Sequence, residues 1–300
     1  MSPTIGVVPL TMLVSAAIVY GLIFPFNAIA AAEGAHHLGH AFWQTLLGGG
    51  SLYLVCLASG RRVSFGWRYL RAYVTVGLFG FGLPMALFTY VSPHLPTGLV
   101  SLVLALSPTF TYLASVLLRL DRLSLFGLAG IALGFAGVAL VLAPESALPT
   151  PEAFGWFLLV LVIPLLLAVA NVSAALLRPP ATGSLVMGAG FLIGAALSLL
   201  PATLATGQLH SPLAGGLLLP TLGAAAVNAV FILLFAEIVR RYGPTFFAQF
   251  NYLAVIAAMG WAALFFGEVP SLYALLALAL MAAGVLVTEM RHRGAAGAGR

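Results

Sequence analysis

The chain has no lysine, one cysteine, and charge on only 6 % of its residues. A soluble domain carries about 25 % charged residues. A chain of 300 residues with so little charge cannot cover a water-facing surface, which excludes a soluble globular fold. The single cysteine, Cys56, lies inside an apolar run, so an internal disulfide or a cysteine metal site is excluded. It reads as a small buried hydrophobe. No basic helix or tail is long enough to follow phosphates, so the net charge of +5 does not point to nucleic acid. No basic residue precedes the first apolar segment. That segment, 7–32, exceeds the roughly 7–15 residues of a signal-peptide core and reads as a retained membrane helix.

What is abundant is hydrophobicity, at 62 % of residues. About 20 apolar residues span a bilayer. Runs of that length fall at 7–32, 36–58, 70–92, 96–118, 123–143, 153–176, 184–206, 213–238, 244–266 and 271–289. The expected fold is all-α and polytopic, with ten transmembrane helices. The arginines test that count. Arg61, Arg62, Arg68 and Arg71 follow the second run, and Arg119 and Arg122 the fourth. Arg178 follows the sixth, Arg240 and Arg241 the eighth, and Arg291, Arg293 and Arg300 the tenth. All twelve fall on one side if both termini are cytoplasmic, as retention of cationic loops inside the cell requires. Glu33, Glu145, Glu152 and Glu268 fall on the other side.

The chain also repeats itself. At an offset of 147 positions, Asp121 meets Glu268, Ser124 meets Ser271, and Ala136-Gly137-Val138 meets Ala283-Gly284-Val285. Between 124–138 and 271–285, eight of fifteen positions are identical, and the Ser, acidic and Ala-Gly-Val matches are the informative ones. Five spans per copy is an odd number, so the second copy is expected upside down relative to the first. Many secondary transporters use such inverted repeats to alternate access to a central site. The expected units are 1–146 and 147–290, with 291–300 a disordered cytoplasmic tail.

The acid-then-Ser step before a Gly-rich apolar helix resembles the drug/metabolite transporter superfamily, in particular the EamA-type ten-helix exporters. "RLDRLS" (Arg119–Ser124) and "GEVPS" (Gly267–Ser271) are similar to that family's Gly-Glu-Arg-Leu-Ser-like turn, and "LALSP" (Leu104–Pro108) to its fourth helix. Leu120-Asp121 departs from Gly-Glu, and "YGLIFPFN" (Tyr20–Asn27) departs from the usual start. The resemblance implies a secondary transporter exporting small metabolites, with relatives that export aromatic and other amino acids looking nearest.

Polar groups within hydrocarbon face a cavity or another helix. They include Asn27, Trp43, Gln44, Tyr90, Ser101, Ser107, Thr111, Asn171, Asn228, and the "QFNY" run Gln249–Tyr252. The expected substrate-binding set is Asn27, Trp43, Gln44, Tyr90, Ser101, Asn228, Gln249 and Tyr252. Amides beside Phe231 and Phe235 suit a small zwitterion with an apolar side chain. The alternative for each is helix–helix hydrogen bonding. No span carries a charge at its middle, which argues against a carboxylate proton relay and against a phosphate-bearing substrate. His36, His37, His40, His94 and His210 fall on the non-cytoplasmic side, where an outer gate sensitive to pH near neutrality is one reading. Pro25, Pro84 and Pro164 are candidate hinges.

Two other functions remain open at this level. An intramembrane enzyme needs a nucleophile–base pair, and Ser107 has no histidine at comparable depth. A non-transporting scaffold predicts a dry, closed core. The preferred expectation is a non-enzymatic monomer that needs no metal or cofactor. It would move a small molecule across a bacterial inner membrane, with both termini cytoplasmic and bilayer lipid and substrate as its partners.

Overall fold

The computed structural model describes residues 7–142, 148, 150–177, 179, 182–242 and 250–297. Among them the secondary structure is helical. Ten apolar helices follow one another: α1 Val8–Ala32, α2 His37–Ala58, α3 Trp67–Val91, α4 Thr97–Leu117, α5 Leu125–Leu142, α6 Ala153–Leu177, α7 Ser184–Ala205, α8 Gly215–Phe235, α9 Phe250–Phe266 and α10 Leu272–Thr288. Length and hydropathy let α1–α8 cross a bilayer, while α9 and α10 are apolar but shorter over these bounds. Helical backbone continues past α8 to Tyr242 and past α10 to Gly297. Helix is the expected form, because an apolar chain in lipid has to satisfy its backbone groups internally.

Four of the helices are interrupted, each just before a proline. α1 breaks at Leu22 ahead of Pro25, and α6 at Leu161 ahead of Pro164. In α3, Leu78–Gly82 forms a π segment before Pro84, with the Leu83 N–H donating to the Leu78 carbonyl. In α4, Val103–Leu106 tightens to 3-10 geometry before Pro108. The cause is common to all four: a proline ring lacks the N–H for the carbonyl four residues back and collides with it.

The neighbour relations have an internal symmetry. α2 packs on α7, α4 on α9, and α5 on α10. α1 packs on α8 and α9, and α6 correspondingly packs on α3 and α4; α2 meets α8, and α7 meets α3. Exchanging each helix with the one five places later leaves these pairings unchanged. Gly130 lies against Gly284 and Thr288, and Gly137 against Ala277 and Met281, so α5 and α10 run antiparallel. Under the 147-residue offset, the Gly130 contact with Gly284 becomes the contact of Ala277 with Gly137. The α3–α7 crossing, where Gly77 meets Ala195, likewise has a partner one residue from exact register, where Gly48 of α2 meets Ala225 of α8. At these crossings glycine is needed for space. A Cβ on Gly77 would stand 2.2 Å from the Phe191 carbonyl oxygen.

A cavity between the halves and a sealed end

A cavity of about 680 Å³ opens between the two halves. Its wall takes Tyr20 from α1, Gly80 and Phe81 from α3, Ser107, Thr111 and Ser115 from α4, and Asn171 from α6. Phe191 of α7, Phe231 and Phe235 of α8, Phe250 and Asn251 of α9 and Thr288 of α10 complete it. The π segment of α3 and the 3-10 segment of α4 both contribute, so two proline-induced breaks shape the wall. Asp121, between Arg119 and Arg122 in the α4–α5 loop, also lines it. The cavity therefore runs from mid-depth to the end of the molecule that carries the arginine loops.

Its deep end is aromatic. The Tyr20 ring lies 4.5 Å from Phe231 and 5.4 Å from Phe250, and Phe231 lies 4.9 Å from Phe250. Farther along, polar groups alternate with the rings. Asn171 Nδ2 donates to Thr111 Oγ1 at 3.1 Å, Thr111 Oγ1 donates to the Ser107 carbonyl at 2.8 Å, and Ser115 Oγ to the Thr111 carbonyl at 2.8 Å. These hydroxyls satisfy themselves on their own helix and still offer lone pairs, so the wall presents acceptors and amide groups beside apolar faces. No Lys, Arg or His lines the cavity among the described residues. A small neutral or zwitterionic molecule fits such a surface, whereas a phosphate would go uncompensated.

Beyond the aromatic floor the protein is closed. Asn27 Oδ1 accepts from Gln44 Nε2 at 3.0 Å and from Thr89 Oγ1 at 2.7 Å, and Asn228 Nδ2 donates to Gln44 Oε1 at 3.3 Å. Asn27 Nδ2 donates to the Ile23 carbonyl at 2.6 Å. This buried chain ties α1, α2, α3 and α8 together. Phe24 and Phe88 are buried 4.8 Å apart, and Phe24 lies 6.4 Å from the Tyr20 ring of the floor. Trp43 Nε1 donates to the His210 carbonyl at 2.7 Å, which fastens α2 to the α7–α8 loop. At the N-terminus of α4, Glu268 accepts from the backbone N–H groups of Thr97 at 2.8 Å and Gly98 at 2.9 Å. A carboxylate from the second half thus caps a helix of the first, where the helix dipole favours it.

The residues expected to bind substrate fall mainly in this sealed part. Asn27, Gln44 and Asn228 share the buried chain. Ser101 is buried and donates to the Gly98 carbonyl at 2.8 Å. Tyr90 is exposed and lies 4.7 Å from the His37 ring and 5.6 Å from Trp156. Tyr252 is half-buried against the apolar core. Gln249 lies outside the described residues. None of the seven described members of that set lines the cavity, because polarity and depth do not tell which face of a helix is turned inward. Thr111, Ser107, Asn171, Phe231, Phe235 and Asn251 do line it, and they were recognisable as polar or aromatic groups within the spans. Tyr20 carried no distinguishing signal, since a lone aromatic in an apolar run reads as core, and Phe250 stood out only as part of the QFNY run.

The fold and cavity define a polytopic helical membrane protein with a ligand-sized chamber between its halves. Residues 8–143 match the EamA-like transporter family. That stretch covers α1–α5. A solved structure described only as a crystal structure of protein superposes on 94 % of this chain and 98 % of its own, with a TM-score of 0.58 and 20 % identity. At that identity the likeness concerns the fold alone. No curated protein matches the sequence significantly.

Proposed function

We propose that the chain is a secondary transporter of a bacterial inner membrane, with ten spans in two inverted five-helix repeats and both termini cytoplasmic. It exports small metabolites, amino acids first among them, by exposing a central cavity alternately to the two sides. The observation that carries this reading is the 680 Å³ chamber between the halves, within the range of small-molecule sites and walled by rings, amides and hydroxyls. The antiparallel pairing of α5 with α10 and the exchange symmetry of the helix pairings support inversion. The arginine loops at the mouth of the cavity support a cytoplasm-facing state. On this reading Tyr20, Thr111, Asn171, Phe231, Phe250 and Asn251 meet the substrate in this state. Asn27, Gln44 and Asn228 form the closed barrier, and they meet it when the far end opens. A chamber of this size weighs against a dry scaffold.

The test is flux in proteoliposomes, with labelled aromatic and aliphatic amino acids supplied singly. Saturable, protein-dependent flux of at least one of them, weakened by Asn171→Leu, is expected. The absence of saturable flux for every amino acid tested would remove the substrate assignment.

A further inference from the structure

At the end remote from the cavity mouth, the α7–α8 loop of the second half sits on the first turns of α2. Gln208 Oε1 accepts from the Leu38 N–H at 3.2 Å, and Trp43 holds the His210 carbonyl. Gly39 packs directly against the His210 ring and the Gln208 carbonyl, with no room for a Cβ. Two imidazoles are enclosed by this clasp. The His40 side chain is fully buried, and its hydrogen-bond partner among the described residues is Thr221 Oγ1 of α8, 3.3 Å from Nδ1. His210 Nδ1 faces the Gln208 carbonyl at 3.2 Å. A carbonyl only accepts, so Nδ1 carries the proton and Nε2 of His210 is a bare lone pair. His40 Nε2 and His210 Nε2 are both buried, and neither has a hydrogen-bond partner.

Two unpartnered imidazole nitrogens on opposite sides of one interface are costly to keep there for structure alone. They are tolerable while both rings are neutral. A proton added to His210 Nε2 would create a cation whose new N–H has no acceptor, enclosed beside a second imidazole. We propose that His40 and His210 form a proton-binding latch that keeps this end of the molecule shut when both rings are neutral and releases it when one is protonated.

The surrounding groups do not offset such a charge. α7 carries no ionisable side chain, and α8 faces His40 with the Thr221 hydroxyl. From α3, Tyr90 lies against His37, not His40. His36 stands 6.0 Å from the His210 ring and would add repulsion. Glu33, the carboxylate at this end of α1, packs against Gly216 at the start of α8. Burial lowers the proton affinity of His210 below that of a free imidazole and outweighs the Gln208 carbonyl, which raises it; His36 lowers it further. The sign follows. The closed state favours neutral rings and the open state allows protonation near the ordinary value of about 6.5, so closure is stable above that pH and is lost below it. For one proton bound only in the open state, the open population at pH 5 rises about thirtyfold over that at pH 8.

Under the transporter reading, on which only its physiological meaning rests, the latch makes acid on the far side favour the outward-open state. The test is amide hydrogen exchange of the full chain in nanodiscs at pH 5 and pH 8, corrected for the intrinsic pH dependence. Segments 36–45 and 206–214 are expected to exchange faster at the lower pH, by up to about thirtyfold. Each of His210→Gln and His40→Gln should shrink the difference and the double variant should abolish it, and the half-buried His210 position serves if His40→Gln fails to fold. Exchange that is equal at both pH values in the wild type, or an acid response undiminished in His210→Gln, overturns the latch. The readout needs no substrate. A latch that works in a protein without amino-acid flux would remove the substrate assignment and leave this inference standing; flux without acid opening would do the reverse.

Discussion

Replacing Gly77 with alanine probes the crossing of α3 and α7 on which the cavity wall depends. The added methyl would lie 2.2 Å from the Phe191 carbonyl oxygen and 2.6 Å from the Ala195 nitrogen. Both are backbone atoms and cannot rotate away. A carbon next to a carbonyl oxygen needs well over 3 Å, so the helices have to separate by about 1 Å. The same crossing brings Gly194 against the Tyr73 carbonyl, so the contact is close from both sides. Overpacking of this kind costs about 1–3 kcal/mol. At about 2–4 °C per kcal/mol for a chain of this size, the midpoint of thermal aggregation should fall by roughly 2–12 °C. Fluorescence-detected size exclusion of heated, detergent-solubilised protein measures it. Gly50→Ala is the control: nothing lies within 4 Å of its added methyl, and alanine is the better helix former by up to about 1 kcal/mol. A Gly77→Ala protein as stable as wild type, or a Gly50→Ala protein equally damaged, would refute the close crossing.

Asn27→Leu removes the acceptor shared by Gln44 and Thr89 and should destabilise the protein by about 1–2 kcal/mol, read by the same thermal assay; an unchanged midpoint would mean the chain is not closed as described. Glu268→Gln keeps one acceptor but loses the charge at the N-terminus of α4. Partial exposure limits the loss to about 0.5–1 kcal/mol, and Glu33→Gln should not reproduce it. Asn171→Leu should raise the apparent KM of a transported amino acid about tenfold with thermal stability unchanged, as loss of one hydrogen bond in the cavity implies; an unchanged KM would remove Asn171 from the substrate's path.

Much of the architecture was legible because lipid demands long apolar helices and punishes charge. Most of the expected runs coincide with the helices to within a few residues; α3 starts at Trp67 and not at residue 70, which reflects an amphipathic first turn beyond the apolar run, helical backbone outlasts the eighth and tenth runs to Tyr242 and Gly297, and the start of the ninth run lies outside the described residues. Two of the matches at the 147-residue offset, Gly137 with Gly284 and Ser124 with Ser271, fall at close contacts and helix starts. The face that each polar residue presents was not legible. Asn228 and Asn171 look alike in sequence, yet one is buried against Gln44 and the other lines the cavity. Only the rotation of each helix about its axis separates them, and neighbouring helices set that rotation. Prolines marked where the helices break. The sequence does not indicate that the break in α3 becomes a π segment and that in α4 a 3-10 turn.

The proposed antiparallel relation of the two halves is tested most directly by two single cysteines in a Cys56→Ala background. Leu123→Cys lies in the α4–α5 loop and Val269→Cys in its counterpart between α9 and α10, both at exposed positions. With a membrane-impermeant maleimide on intact cells, Val269→Cys should be labelled at once and Leu123→Cys only after permeabilisation. Labelling of both from the same side would contradict the inverted repeat.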